Sequence, residues 1–133
     1  AQALAAEEKL PLILVDGPPG VGCPVISSVT GATATLIVAE PTLTGIQGFA
    51  RAADLAAHFG VPAAVAINKF DISEENAAAL AREAERRDIP VVGRVPYDDA
   101  FTAAQRERKT VVEFGGAAAE AVEGIWHRLG AFP

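Results

Sequence analysis

The sequence is poor in the residues that build disulfide frameworks, metal clusters and nucleic-acid interfaces. Its 133 residues include one cysteine, two histidines and no methionine, and 17 acidic residues outnumber 11 basic ones. A single cysteine excludes an internal disulfide framework and cannot by itself hold an iron–sulfur cluster. A net charge of −6 without a basic cluster disfavours charge-driven nucleic-acid binding. We therefore expect no direct binding to nucleic acid.

Long apolar runs and targeting segments are also missing. No uninterrupted apolar stretch approaches the length of a membrane span, and no basic leader followed by an apolar core opens the chain. We therefore expect no membrane span and a cytoplasmic location. The opening AQALAAEEKL contains no methionine and has the composition of a helix tail, so we expect the chain to begin inside a larger protein.

The missing phosphate-binding loop has the largest consequence. Neither G-x-x-x-x-G-K-[ST] nor G-K-G-G-x-G-K occurs in the sequence, so the Walker A cradle, its lysine and its Mg²⁺-binding hydroxyl are absent. Phosphoryl transfer draws most of its positioning and charge stabilisation from these groups. The chain alone is therefore not expected to hydrolyse a nucleoside triphosphate.

What the sequence does contain is a regular alternation of apolar and amphipathic segments. Half of the residues are apolar, which is enough for the core of a single domain over 1–133, with 1–9 and 131–133 as flanking segments. Apolar runs predict strands at 12–15, 33–39, 61–67 and 89–96. Helical periodicity predicts helices at 24–30, 44–58, 73–87, 101–108 and 117–129. The alternation predicts an α/β fold with a mostly parallel sheet of at least four strands and helices on both faces.

Four local features complete the predicted architecture. Thr44 and Gln47 have the spacing of a capping box that starts the second helix. Residues 110–114 are predicted to be extended. Trp126 is predicted to pack the last helix onto the sheet. Cys23 is predicted to pack as a small buried side chain, and the alternative is a reactive or metal-linking thiol at a helix start.

The stretch LPLILVDGPPGVG, residues 10–22, is the first candidate site. Its apolar run ends at Asp16, and a loop rich in glycine and proline follows, where open α/β sheets bind their ligands. A carboxylate at this point can hold Mg²⁺ beside a phosphate chain, directly or through a water, while the loop responds to the terminal phosphate. The alternative is a turn with an exposed Asp16.

The segment Asn68-Lys69-Phe70-Asp71 follows the third predicted strand and forms the second candidate site. N-K-x-D is the guanine-binding pattern of GTPases, in which the aspartate accepts two hydrogen bonds from the base and thereby selects guanine over adenine. The alternative is a polar turn in which Asp71 and Ser73 cap the next helix.

The residues DGPPGVG at 16–22, followed by CPVISS at 23–28, resemble the second half of the MinD/Mrp group of P-loop ATPases. This group is ParA-like, with a deviant Walker A, and the resemblance over residues 10–115 is closest to the branch that carries a ferredoxin-like iron–sulfur insert. Such segments are often labelled cobyrinic acid a,c-diamide synthase-like nucleotide-binding domains, but no residue here supports amidotransferase chemistry. The D-x-x-x-G spacing after Asp16 is that of the MinD-like class, whereas small GTPases use D-x-x-G. The spacing favours ATP without settling the base, because the class also contains some GTPases.

The resemblance implies roles for individual residues. Asp16 would be the catalytic and metal residue, which handles Mg²⁺ or its water, and Gly20 would act with it in the switch loop that senses the γ-phosphate. The other residues implied to contact the nucleotide lie in that loop and around the base: Gly17, Pro18, Pro19, Gly22, Asn68, Asp71, Pro96, Tyr97 and Asp98.

The resemblance also implies a function for the intact protein. It would be an ATP-binding and ATP-hydrolysing domain that uses ATP and Mg²⁺, forms a homodimer and serves an iron–sulfur or electron-transfer partner. Any cluster would belong to an insert outside this sequence. Two alternatives stay open: a GTPase or metallochaperone-type switch that uses residues 68–71, and a non-catalytic interaction module that has lost its P-loop.

The missing P-loop strand carries one more expectation. In the resembling fold that strand lies between the strand that ends at Asp16 and the strand at 33–39. Unpaired buried strand edges are costly. We therefore expect these two strands to pair directly, or another chain to fill the gap.

Overall fold

The structure is a computed structural model that describes residues 7–9, 11–20 and 22–130. Most of the helix tail expected over 1–9, the flanking segment 131–133, and Val21 within the switch loop lie outside these residues.

Three strands alternate with six helices in the described residues. The strands are β1 (Thr35–Ala39), β2 (Ala63–Asn68) and β3 (Val91–Val95). The helices are α1 (Cys23–Val29), α2 (Leu43–His58), α3 (Glu74–Arg86), α4 (Ala100–Arg106), α5 (Val111–Phe114) and α6 (Ala117–Leu129), with a 3₁₀ turn at Phe70–Ile72. Among these helices, none has the length and apolar character needed to cross a membrane.

The strands form one parallel sheet in the order β1-β2-β3. Ile37 of β1 lies beside Val65 of β2, and Asn68 at the end of β2 lies beside Val95 of β3. Parallel neighbours joined through helices are the arrangement that the alternating sequence predicts. The predicted α/β class is confirmed, although the sheet of the described residues has three strands and not four.

Alternate side chains of β2 build two apolar layers. Val65 and Ile67 point to the side covered by α2 and α3, where Phe49 and Leu80 are fully buried. Ala64 and Ala66 face the opposite side, where Ile125 of α6 packs. α6 approaches β3 so closely that a Cβ at Gly93 would clash with Ile125. Helices therefore cover both faces, as the sequence predicts.

The predicted strand at 12–15 is wrong for this chain. These residues have no strand pairing, and Leu14 is 79% exposed. A strand needs a neighbour for its backbone N–H and C=O groups, and no described strand lies beside this run. Direct pairing with β1 is therefore also wrong, while the filling of the gap by another chain stays a prediction.

The edge of the sheet at β1 is consequently open within the described residues. Ile37 and Ala39 are buried against the α2 side, but Leu36 and Val38 point to the other side, where Val38 is 61% exposed. α6 has extensive contacts with β3, not with β1. Within the described residues, the outer edge of β1 is therefore unpaired, and Val38 is largely exposed on the face opposite α2.

Four local predictions need correction. α2 begins at Leu43, because Thr42 and not Thr44 is its N-cap and accepts a hydrogen bond from the Gly45 N–H at 2.9 Å. Residues 111–114 form a helical turn, with Thr110 and Glu113 in a reciprocal capping box.

The remaining two corrections concern side chains predicted to be buried. Trp126 is 54% exposed because Ile125, its neighbour on α6, occupies the position that faces the sheet. Cys23 is an exposed free thiol at the start of α1. A short helix that lies outside the two apolar layers offers this thiol no apolar surroundings.

Candidate functional site

A cavity of about 250 Å³ opens where β2 and β3 end. The carboxyl ends of parallel strands are the usual ligand position in open α/β sheets. Sites that enclose a whole drug-sized ligand measure about 300–1,000 Å³, so this cavity suits a flat ring more than an entire nucleotide. It is lined by Asn68, Lys69, Pro96, Tyr97, Asp98, Asp99, Phe101 and Thr102.

Asn68 occupies the floor of the cavity because it is the last residue of β2. It is half-buried, and its side-chain amide makes no hydrogen bond with any other described residue. An amide offers a donor and an acceptor side by side. This pair is complementary to the N6 donor and N7 acceptor of adenine.

The loop between β3 and α4 forms the opposite wall. Pro96, Tyr97 and Asp98 line the cavity from this loop. Tyr97 is exposed and free to present its ring to a flat ligand, and aromatic rings stack on nucleic bases. Asp98 is half-buried and accepts a hydrogen bond from the Ala100 N–H at 2.8 Å, which fixes its carboxylate at the start of α4. The structure thus brings together four of the residues predicted for the base.

The charged residues of the N-K-x-D segment contact neighbouring elements. Lys69 adopts a left-handed backbone conformation with φ 52°, and its Nζ lies 2.7 Å from Oε1 of Glu40 at the end of β1. The hydrogen bond to Glu40 raises the pKa of Lys69. Asp71 accepts a hydrogen bond from the Tyr97 N–H at 2.7 Å and does not line the cavity.

The loop that follows Asp16 is irregular and exposed over residues 16–20. Gly20 has φ 101°, a conformation that favours glycine. Gly17 lies beside Ser28, and Gly22 is the N-cap of α1. Pro18 and Pro19 are exposed between them. The predicted switch loop is therefore attached to the start of α1.

The Asp16 carboxylate makes no hydrogen bond or ion pair with another described residue. No group of three or more His, Cys, Asp or Glu in the described ranges could hold a metal on its own. Nucleotide sites commonly hold Mg²⁺ through one or two carboxylates, with phosphates and waters as the other ligands. A single free carboxylate fits that mode of binding and does not fit a site made only of protein ligands.

Sequence reasoning missed several lining residues. Asp99, Phe101 and Thr102 belong to the first turn of α4 or the residue before it. Their position in the sequence, directly after the predicted pocket loop at 96–98, could have indicated that they line the cavity. Glu40 was missed as the partner of Lys69, and the signal for it was its position directly after a strand.

A second, wider depression of about 540 Å³ lies between α6 and β3. It contains Arg94 and Glu120, and Arg128 donates a hydrogen bond to the Val92 carbonyl at 2.6 Å beside it. None of the residues predicted for a ligand lies there. We place the candidate site at the strand ends, where the free Asn68 amide gives a chemical reason for binding.

Comparison with known sequences gives one partial match. The chain is 35% identical over 72 residues to the uncharacterised protein MJ0578 of Methanocaldococcus jannaschii. The match covers 54% of this chain and 26% of that protein. No protein-family model matches the sequence.

Solved structures of MinD proteins are similar to the whole fold. The MinD cell division protein of Aquifex aeolicus superposes with a TM-score of 0.82 at 19% identity, covering 99% of this chain and 58% of that one. The cell division ATPase MinD of Pyrococcus furiosus gives 0.80 at 16% identity, with 97% and 55% covered. The Pyrococcus horikoshii septum site-determining protein MinD, solved with Mg-ADP, gives 0.74 at 16% identity, with 86% and 48% covered. The chain spans about half the length of these proteins and has the α/β fold of the part that it matches.

Proposed function

We propose that this chain is the carboxy-terminal half of a MinD-like domain that binds and hydrolyses ATP. The observation that carries the proposal is the Asn68 amide, which has no hydrogen-bond partner among the described residues and lies in a cavity at the strand ends of a MinD-like fold. The cavity takes the adenine base between Asn68 and the loop wall of Pro96, Tyr97 and Asp98. The similar MinD of Pyrococcus horikoshii was solved with Mg-ADP, which supports a nucleotide as the ligand.

The phosphate end of the nucleotide is assigned to the other candidate segment. Asp16 would hold Mg²⁺ directly or through one of its waters, and the ion would supply positive charge beside the phosphates. Gly17, Pro18, Pro19, Gly20 and Gly22 form the loop that responds to the γ-phosphate. The exposed position of this loop and its free carboxylate support the assignment.

The phosphate cradle itself comes from outside this sequence. The chain contains no Walker A motif and spans 58% of the Aquifex MinD chain. The open edge of β1 is a place where an additional strand would pair, and the exposed Leu36 and Val38 lie on the face that an additional helix would cover. We infer that the full gene product supplies the cradle and is the ATP hydrolase, while this chain alone is inactive.

The assembly and partners follow from the earlier resemblance. A homodimer and an iron–sulfur or electron-transfer partner are proposed on that ground. With one cysteine in the sequence, the ligands of any cluster belong to a segment outside it. The resemblance to cobyrinic acid a,c-diamide synthase-like domains would support nucleotide binding only, and we propose no amidotransferase chemistry.

A competition between ATP and GTP for the full gene product tests the proposed base. We expect ATP to displace a fluorescent ATP analogue at least about tenfold better than GTP, because a mismatched buried hydrogen bond costs about 1–3 kcal/mol. Asn68→Asp removes the amide donor and should weaken ATP binding by a similar factor. Asn76→Asp makes the same chemical change on α3, away from the cavity, and should leave binding unchanged.

The other outcomes of this competition identify the alternatives. Stronger displacement by GTP would replace the proposal with a GTPase or metallochaperone-type switch that uses residues 68–71. Absence of binding by either nucleotide would favour a non-catalytic interaction module. Equal effects of the Asn68 and Asn76 substitutions would remove Asn68 from the base pocket.

A further inference from the structure

Asp71 links two strand ends and does not face the cavity. Its Oδ1 accepts the Tyr97 N–H at 2.7 Å across 26 residues of sequence. Tyr97 and the residues on both sides of it line the cavity, whereas Asp71 does not. A carboxylate that accepts a backbone N–H is a charge-assisted hydrogen bond, stronger than a neutral one.

The surroundings of this hydrogen bond show what it fixes. Asn68 and Val95 are paired in the sheet, so the two chains leave β2 and β3 side by side. Beyond that pair, the hydrogen bond to the Asp71 side chain joins the residues after β2 to the loop after β3. Among the described residues, no other hydrogen bond joins these two segments. The hydrogen bonds of Asp98 and Asp99 run forward into α4 and do not return to β2.

We propose that Asp71 is a positioning residue that sets the width of the base pocket by holding the Tyr97 backbone against the end of β2. This inference rests on the proposed function, because it takes the cavity to be the site of a nucleotide base. It gives the aspartate of the N-K-x-D segment a role other than contact with guanine.

The geometry opposes direct contact between Asp71 and guanine. A carboxylate selects guanine by accepting from N1–H and from the N2 amino group with its two oxygens. One Asp71 oxygen already accepts the Tyr97 N–H, and the side chain lies outside the cavity lining. Lys69, the other charged member of the segment, is paired with Glu40. Lys69 therefore joins the end of β2 to the end of β1, and Asp71 joins the residues after β2 to the loop after β3.

The test measures binding of ATP, GTP and xanthosine triphosphate to the full gene product with three substitutions. Asp71→Ala removes the acceptor and should weaken ATP and GTP by the same factor, about 2- to 10-fold, the scale for losing one typical hydrogen bond, because this one is exposed to water. Asp71→Asn keeps an acceptor oxygen and should restore most of the affinity. Glu75→Ala removes a nearby exposed carboxylate in the first turn of α3 and should leave affinity unchanged.

Two binding outcomes would overturn the inference. If Asp71 contacted guanine, Asp71→Asn would lose GTP as fully as Asp71→Ala and gain xanthosine triphosphate, whose C2 carbonyl accepts from the new amide. If Asp71→Ala left ATP affinity at the wild-type value, the loop would be held without it.

Hydrogen exchange of the Tyr97 amide separates this inference from the proposed function. In the wild type that amide should be protected, in Asp71→Ala the protection should be lost, and in Asp71→Asn it should largely return. This measurement needs no nucleotide. A wild type that binds no nucleotide but shows the expected Tyr97 protection would overturn the proposed function and, with it, the base pocket, while leaving Asp71 as the residue that holds the Tyr97 backbone. Unchanged Tyr97 protection in Asp71→Ala would overturn the positioning role whatever the nucleotide result.

Discussion

Asp16→Asn in the full gene product should lower Mg²⁺-dependent ATP turnover at least about 100-fold, the scale for removing one preorganised electrostatic contact from a transition state. Asparagine keeps the size of the side chain and removes the charge. Asp16 is exposed and has no partner among the described residues, so in the 133-residue chain alone this change should leave the free energy of unfolding within about 0.5 kcal/mol of the wild type. The expected defect is therefore one of chemistry and metal binding.

Asp88→Asn is the matched control for that substitution. Asp88 is exposed and has φ 54°, a conformation that asparagine adopts readily. It lies before β3, at the end of the strand opposite to the cavity. Turnover in Asp88→Asn should equal the wild type. Unchanged turnover in Asp16→Asn would remove Asp16 from the mechanism.

Val38→Asp should destabilise the full gene product by at least about 2 kcal/mol while leaving this chain alone nearly unchanged. Burying a Val side chain contributes about 1.5–3 kcal/mol, and a charge at a covered site adds a desolvation cost. In the chain alone Val38 is 61% exposed, and substitutions at exposed sites usually change stability by no more than about 0.5 kcal/mol. Urea unfolding of both proteins measures the difference.

Two further variants sharpen this comparison. Val38→Thr introduces a hydroxyl with little change of shape and should show the same contrast with a smaller effect, in case the aspartate prevents folding. Val112→Asp lies on α5, at a side chain that is exposed and distant in sequence from the open edge, and should affect both proteins equally. Equal effects of Val38→Asp in the two proteins would show that nothing covers β1.

The sequence predicted the elements whose pattern depends on contacts within this chain. The run AAVAIN of β2 is buried on both sides by α2, α3 and α6. Its apolar residues predicted a central strand. The strand at 12–15 failed because the same kind of run specifies a strand only where a neighbour can pair with it. The run is exposed and has no neighbouring strand among the described residues. The residues of the run alone do not show whether such a strand exists.

The candidate site also contains features that the sequence predicted and features that it did not. Asn68, Pro96, Tyr97 and Asp98 were predicted from the resemblance to the MinD/Mrp group, and all four lie at a strand end or within three residues of one, where parallel strands share one edge of the sheet. The hydrogen bond from the Tyr97 N–H to Asp71 was not predictable, since the donor is a backbone group that carries no residue signal. Sequence patterns identified the side chains at this edge and not the contacts that arrange them.

The measurement that tests the central claim most directly compares Mg²⁺-dependent ATP turnover by the full gene product and by the 133-residue chain alone. Both proteins carry Asp16 and the cavity, so they differ only in what the rest of the gene product supplies. We expect turnover in the full product and none in the chain. Equal turnover by the chain alone, or a full product that neither binds nor hydrolyses ATP, would contradict it.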